Sequence, residues 1–129
     1  MLDNIKLSIC IATYNRADFI QETLDSILLQ NMSEIEIVIV DGGSTDGTEE
    51  LVKMYEENYL NLRYIKLPIK GGFDEDLSCA VSYAKGDYCW LFSDDDIIKP
   101  GAINYILSKL ALDYDVVIVN SEIKHQNLT

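Results

Sequence analysis

Five short runs of nearly unbroken apolar residues, separated by stretches with helical spacing, constrain this chain more than any other feature. The runs are Leu7 to Thr13, Ile35 to Val40, Leu62 to Leu67, Asp87 to Ser93 and Val116 to Val119. A run that is apolar on both faces reads as a strand buried on both faces, as in a parallel sheet covered by helices. Between the runs, Asp18 to Gln30 places Phe19, Ile20, Leu24, Ile27 and Leu28 on one helical face. About Thr45 to Asn58 spaces Leu51, Val52 and Tyr55 for burial, and Asp74 to Ala84 turns Leu77, Ala80, Val81 and Ala84 inward. Pro100 suits the first turn of a further helix reaching about Leu112. The order β-α-β-α-β-α-β-α-β predicts an α/β fold, a mostly parallel sheet with helices on both faces and right-handed crossovers.

Local punctuation agrees. Ser44 or Thr45 is placed to cap the second helix, with Asp46 and Glu49 near its positive start. Pro68 stops the third strand, and Gly86 sits where a C′ glycine would end the third helix. The alternating Tyr88, Trp90 and Phe92 read as core, with a pocket wall as the alternative. The chain has 129 residues, which predicts one domain with a core large enough to need no disulfide. Cys10, Cys79 and Cys89 are odd in number, in apolar contexts and without a CxxC pair, so they read as buried thiols in a reducing compartment. His125 is the single histidine and reads as a surface residue, which disfavours a histidine metal triad or a Ser-His-Asp site. A net charge of −12 argues against polymeric nucleic acid and against a basic membrane-surface patch. Met1-Leu2-Asp3-Asn4 leads straight into a strand-like run without a signal peptide, and no apolar stretch is long enough for a transmembrane segment. A cytoplasmic protein is expected, with a peripheral place at the inner face of a membrane left open.

Ligands of open parallel sheets bind beyond the carboxyl ends of the strands. That rule gathers the polar strand ends. Thr13-Tyr14-Asn15-Arg16 offers hydroxyl, phenol, amide and guanidinium, to bind a base, ribose or phosphate or simply to make a turn. Asp41 precedes Gly42-Gly43-Ser44-Thr45-Asp46-Gly47, where a carboxylate can accept hydrogen bonds from a nucleoside or serve an Asp-Gly turn. Neither phosphate-loop glycine pattern is present. Gly71-Gly72 opens a connection where a ligand can approach the backbone, or is a plain turn. Asp74, Glu75 and Asp76 fit a helix start on dipole grounds alone. Asp94-Asp95-Asp96 follow the apolar Tyr88 to Phe92. Three adjacent carboxylates repel one another, and a cation relieves that repulsion. Oxygen ligands without His or Cys favour Mn²⁺ or Mg²⁺, and a solvated acidic turn is the alternative.

Taken together, Leu7 to Arg16, Val40-Asp41-Gly42-Gly43-Ser44-Thr45-Asp46-Gly47-Thr48, Ala84-Lys85-Gly86-Asp87-Tyr88, Asp94-Asp95-Asp96 and Lys99-Pro100-Gly101-Ala102 resemble glycosyltransferase family 2 in order and spacing. Gly71 through Asp96 looks most like a bacterial branch that includes abequosyltransferases. The resemblance implies a GT-A fold, a nucleotide-sugar donor linked to UDP, CDP, GDP or dTDP, a divalent metal and a glycan or lipid-linked saccharide acceptor. It implies that Thr13, Tyr14, Asn15 and Asp41 hold the nucleoside beside Ser44, Thr45 and Asp46, with Gly72 in the approach loop. It implies that Asp94 contributes to the nucleotide and Asp95 and Asp96 to the metal, as a D-x-D motif. The sequence departs from the family pattern at Ser93, which falls on the first aspartate of the usual motif. Leu77 and Ser78 stand where many members carry Arg-Asn. The family's catalytic base lies well beyond the D-x-D, and no residue after Asp96 is assigned to it. Residues 1–129 therefore read as the N-terminal nucleotide-sugar-binding part of a longer, inverting enzyme of surface polysaccharide assembly. A binding module without turnover is the alternative. A magnesium-binding receiver domain is disfavoured because the first strand ends in Thr13-Tyr14-Asn15 rather than an acidic pair.

Overall fold

The computed structural model describes residues 4–30 and 33–123. In order they form β1 (Leu7–Thr13), α1 (Ala17–Leu28), β2 (Ile35–Asp41), α2 (Thr48–Asn58), β3 (Leu62–Lys66), α3 (Phe73–Tyr83), β4 (Tyr88–Phe92) and α4 (Ala102–Leu110). The four strands make one parallel sheet ordered β3-β2-β1-β4. His125 and the first three residues lie outside the described residues.

Side chains alternate between the two faces of the sheet. Ile9, Ile11, Ile37 and Ile39 pack with Ile20, Leu24 and Ile27 of α1, Val52 of α2 and Ile103 of α4. On the opposite face Cys10, Val38 and Val40 meet Ala80 of α3. Every residue of β1 and β2 is buried, as two-sided coverage demands. Fully burying one such aliphatic side chain contributes about 1.5–3 kcal/mol. Tyr88 and Trp90 pack against the core that includes Phe92, which bears out the core reading of these aromatics.

Several details differ from the sequence expectations. Val116 to Val119 forms no strand: Val116 and Ile118 are 75% and 89% exposed, and Val117 alone of the four packs against the core. The reason is coverage. Helix α3 lies over β1 and β2 but leaves the same face of β4 open, so Cys89 and Leu91 are exposed there. A further parallel strand on that edge would have one bare face. Cys89 is thus not a core thiol, whereas Cys10 is buried and Cys79 half-buried.

On α1, Phe19 faces solvent beside the Arg16 guanidinium, and Thr23 takes the inward position. Val81 is likewise exposed on α3. Gly86 does not end α3, which stops at Tyr83 with an extended Ala84 at its C-cap. Its small size is needed elsewhere: a Cβ there would lie 2.7 Å from Ser8 Oγ and 2.9 Å from Ser8 N. Gly86 N–H donates to Ser8 Oγ, which donates to the buried Glu36, and Glu36 also accepts from Lys85 N–H. This network ties the loop before β4 to the sheet.

Candidate functional site

The crossover from β3 to β4 passes over β2 and β1 and lands on the far side of β1. The strand order therefore reverses between β1 and β4, the point beyond whose carboxyl ends open α/β sheets bind their ligands. Thr13 and Asp94 stand at that point. Thr13 Oγ1 donates to Asp94 Oδ2 at 2.9 Å, and Arg16 Nε lies 3.6 Å from the same oxygen. Asp94 is 8% exposed, and Thr23 Oγ1 donates to its carbonyl at 3.1 Å. Burial pushes the Asp94 carboxyl above its ordinary value. The Thr13 hydroxyl and the Arg16 charge oppose that rise, and the neighbouring Asp95 adds to it. Asp95 and Asp96 point out to solvent, with Ser93 Oγ donating to Asp95 Oδ1 at 2.6 Å. The three aspartates thus divide into one inward anchor and two outward carboxylates.

The end of β2 is wired differently. Asp41 is fully buried. Its Oδ1 accepts from Gly43 N–H at 2.9 Å, Ser44 N–H at 2.8 Å and Ser44 Oγ at 2.8 Å. Its Oδ2 accepts from the Tyr64 hydroxyl at 2.6 Å. Burial and the Asp41 carboxylate push the Tyr64 phenol far up, so it stays a donor. Asn15 adopts the left-handed conformation at φ 52°, which Asn tolerates better than most residues. Its N–H donates to Ser44 Oγ and its Oδ1 accepts from Thr45 N–H, both at 2.8 Å. Asp46 accepts from Ala17 N–H and from both donors of Thr48. The Thr48 hydroxyl holds the Asp46 carboxyl below its usual range. Asp46, rather than Ser44 or Thr45, therefore satisfies the start of α2, which begins at Thr48.

The structure thus joins Thr13, Asn15, Asp41, Ser44, Asp46 and Asp94 around the ends of β1, β2 and β4. Arg16 closes the ring, since its N–H donates to Thr48 Oγ1 while its guanidinium reaches Asp94. Tyr14 stands at the edge, 40% exposed, with the Lys70 ammonium 5.5 Å from its ring centre. Gly72 lies apart as the exposed N-cap of α3 in ordinary extended backbone, where a Cβ would meet open space. The tight glycine of that pair is Gly71, whose Cβ would lie 2.8 Å from carboxylate oxygens of Asp76 and Glu75. Sequence reasoning missed Tyr64, Lys70 and Thr23 as parts of this end of the sheet. Nothing local marked Tyr64, whose role depends on strand pairing with β2. Among the described residues no group of three His, Cys, Asp or Glu side chains suits a metal by itself.

A parallel sheet that collects its polar groups at a switch point has the architecture of a nucleotide-binding α/β fold. The model of glycosyl transferase family 2 matches residues 8–128, and the chain belongs to that family. It is 36% identical over 115 residues to abequosyltransferase RfbV of Salmonella typhimurium, covering 87% of this chain and 34% of that protein. Among solved structures it resembles S. aureus TarS 1–349 in complex with UDP-GlcNAc, with a TM-score of 0.78 and 29% identity over 84% of this chain and 32% of that one. It also resembles the mannosyltransferase PcManGT of Pyrobaculum calidifontis in complex with GDP-Man and Mn²⁺, with a TM-score of 0.74 and 26% identity over 89% of this chain and 34% of that one. The GT-A-type α/β fold expected from the sequence is borne out. The chain spans about a third of the length of the abequosyltransferase it matches. No helix among the described residues is long and apolar enough to cross a membrane.

Proposed function

We propose that this chain is the nucleotide-sugar-binding part of a glycosyltransferase that moves a sugar from a nucleoside diphosphate to an acceptor hydroxyl. The observation that carries the reading is the Thr13–Asp94 hydrogen bond at the switch point, which holds one aspartate inward and leaves Asp95 and Asp96 exposed beside it. The related proteins bound to UDP-GlcNAc and to GDP-Man support a nucleotide-sugar donor. The acceptor is a glycan or lipid-linked saccharide of cell-surface polysaccharide assembly, reached in the cytoplasm or at the inner face of the membrane.

Thr13, Tyr14, Asn15, Asp41, Ser44 and Asp46 shape the nucleoside side. Asn15 and Ser44 act through the turn they lock, because their side-chain oxygens are already bonded to backbone N–H groups. The two outward carboxylates, Asp95 and Asp96, fit a hard divalent cation that takes its remaining oxygens from substrate phosphates, as Mg²⁺ or Mn²⁺ does. Such an ion supplies positive charge for the departing diphosphate. Arg16, beside Asp94, adds a fixed guanidinium to the same end of the crevice. The reaction is proposed to invert the anomeric centre, with a general base from outside the described residues. Beyond Asp96 the described carboxylates are Asp113, Asp115 and Glu122. Asp113 and Asp115 share a cavity with Lys6 and Asp87 at the amino ends of the strands, away from the crevice, and Glu122 pairs with Lys99 at 2.7 Å.

Calorimetric titration with UDP, CDP, GDP and dTDP, with and without Mn²⁺, tests the reading. Metal-promoted binding of at least one nucleotide, lost in Asp95→Ala, is expected. A folded protein that binds none of the four with metal present refutes it.

A further inference from the structure

The two exposed carboxylates after β4 sit on a stretch of chain that is fastened from one side by α1. Residues 93–101, between β4 and α4, form neither helix nor strand. Side chains from α1 and the turn just past its end nevertheless hold main-chain groups all along this stretch. Thr23 Oγ1 donates to Asp94 O at 3.1 Å, and Ser26 Oγ accepts from Ile98 N–H at 3.1 Å. Gln30 Nε2 donates to Lys99 O at 2.8 Å, and Gln30 Oε1 accepts from Ile103 N–H at 3.1 Å. Positions 23, 26 and 30 follow the spacing of one helical face, so the three side chains form a ladder.

The rungs support one another. Ser26 Oγ also donates to Thr23 O at 2.7 Å, and Gln30 Nε2 donates to Ser26 O at 3.2 Å. Gln30 further stands in for a missing cap: the N-cap of α4 is Gly101, which has no side chain, and Ile103 N–H is among the first groups of that helix without a partner inside it. Thr23 is 1% exposed, among the apolar Ile20, Leu24 and Ile27 of the inward face. A buried hydroxyl is unfavourable unless it is bonded, and the bond it makes here is to the loop.

Placement shows what the ladder holds. Asp94 is fixed twice, its side chain by Thr13 and its carbonyl by Thr23. Ile98 is also fixed twice, its N–H by Ser26 and its side chain by the core. Asp95, Asp96 and Ile97 lie between those anchors, and all three are exposed. Adjacent carboxylates repel each other, so a cation that uses both gains when the backbone already keeps them together. A short span pinned at both ends leaves little to order when the ion arrives.

We propose that Thr23, Ser26 and Gln30 are positioning residues that set Asp95 and Asp96 for a divalent cation. The inference rests on the nucleotide-sugar and cation reading above, and gives α1 a part in it without contact to ion or sugar.

The test is calorimetric titration of UDP, CDP, GDP and dTDP, with and without Mn²⁺, which gives the gain that the metal brings to the tightest binder. Ser26→Ala removes the acceptor for Ile98 N–H and keeps a strong helix former. Thr23→Val keeps the shape and removes the donor to Asp94 O. Each is expected to cut the Mn²⁺-dependent gain about tenfold, as loss of an outer partner of a metal ligand does, while metal-free affinity stays within about twofold. Thr23→Ser, which retains the hydroxyl, is expected to keep the gain. Amide hydrogen exchange without ligand should quicken at Ile98 in Ser26→Ala and stay slow in β1 and β2. Thermal unfolding establishes that the variants are folded. The positioning role is overturned if folded Ser26→Ala keeps the full metal gain, if it loses affinity equally with and without metal, if Ile98 exchange is unchanged, or if Thr23→Ser fails as Thr23→Val does. If the wild type itself binds no nucleotide more tightly with Mn²⁺, the cation reading falls, and this inference falls with it.

Discussion

The end of β2 and the end of β4 both carry aspartates at the same edge of the sheet, and they are built in opposite ways. Asp41 is fully buried and accepts four hydrogen bonds, three from the turn that follows it and one from Tyr64 on β3. Asp95 and Asp96 are exposed, and among the described residues the one side-chain bond to them comes from Ser93 two residues away. Asp94 stands between the two styles, anchored to Thr13 while its neighbours stay exposed. One strand end is committed to its own architecture, and the other keeps its charge available. A preformed wall facing an unsatisfied anionic edge suits a ligand whose base needs shape and whose phosphates need a counter-ion.

The contrast can be broken most severely at Asp41. Asp41→Ala orphans the buried donors of Ser44 and the half-buried ones of Gly43 and Tyr64, and it should cost about 3–5 kcal/mol in denaturant unfolding. A loss under about 1 kcal/mol would mean that the buried network relaxes freely and that the two strand ends are alike. Thr13→Val keeps the shape and removes the donor to Asp94. It is expected to lower stability by about 1–2 kcal/mol in the same measurement, since Asp94 then relies on Arg16.

Asp46 sharpens the committed side through pH. Its carboxyl is held below its usual value by the Thr48 hydroxyl first. Its contribution is therefore full above the unfolded-state value of 3.8 and is lost as pH falls through the lower folded-state value. Asp46→Asn should lower stability at pH 7 and matter little at acid pH, so that the unfolding profiles of variant and wild type converge below about pH 4. The smallest effect on stability belongs to the open side. Asp95→Ala and Asp96→Ala should each stay within about 0.5 kcal/mol of the wild type in unfolding, as exposed positions do. Both should nonetheless abolish the Mn²⁺-dependent part of nucleotide affinity by calorimetry. An Asp95 variant that unfolds early would show that its carboxylate is structural.

Much of the fold was legible because burial on both faces leaves a plain mark. The runs beginning at Leu7, Ile35 and Leu62 and the Tyr88 to Phe92 run all became strands, with bounds shifted by a residue or two. Val116 to Val119 carried the same mark without becoming a strand, because a local run does not reveal whether a helix covers its second face. Gly86 shows the same limit at one residue. Its place after a helix suggested a C-cap, whereas its need for bareness comes from Ser8, which is 78 positions away in sequence. In the site, the polar strand ends were readable as a set because the topology rule places all of them at one edge. Which groups are spent on the scaffold was not readable: Ser44 and Asp46 looked like ligand groups, and their oxygens hold Asn15, Ala17 and Thr48.

The sequence by itself determined the alternation of strands and helices, the family and the edge of the sheet where chemistry gathers. These follow from periodicity and from motifs in order, which are properties of the chain read locally. The tertiary structure decided which carboxylates are satisfied and which are free. Asp41 meets Tyr64, Thr13 meets Asp94, and Asp76 turns one oxygen toward Gly42 only once the parallel register and the β3-to-β4 crossover bring distant segments together. Solvation of a charged group depends on all of its neighbours in space, and a sequence specifies only those beside it in the chain.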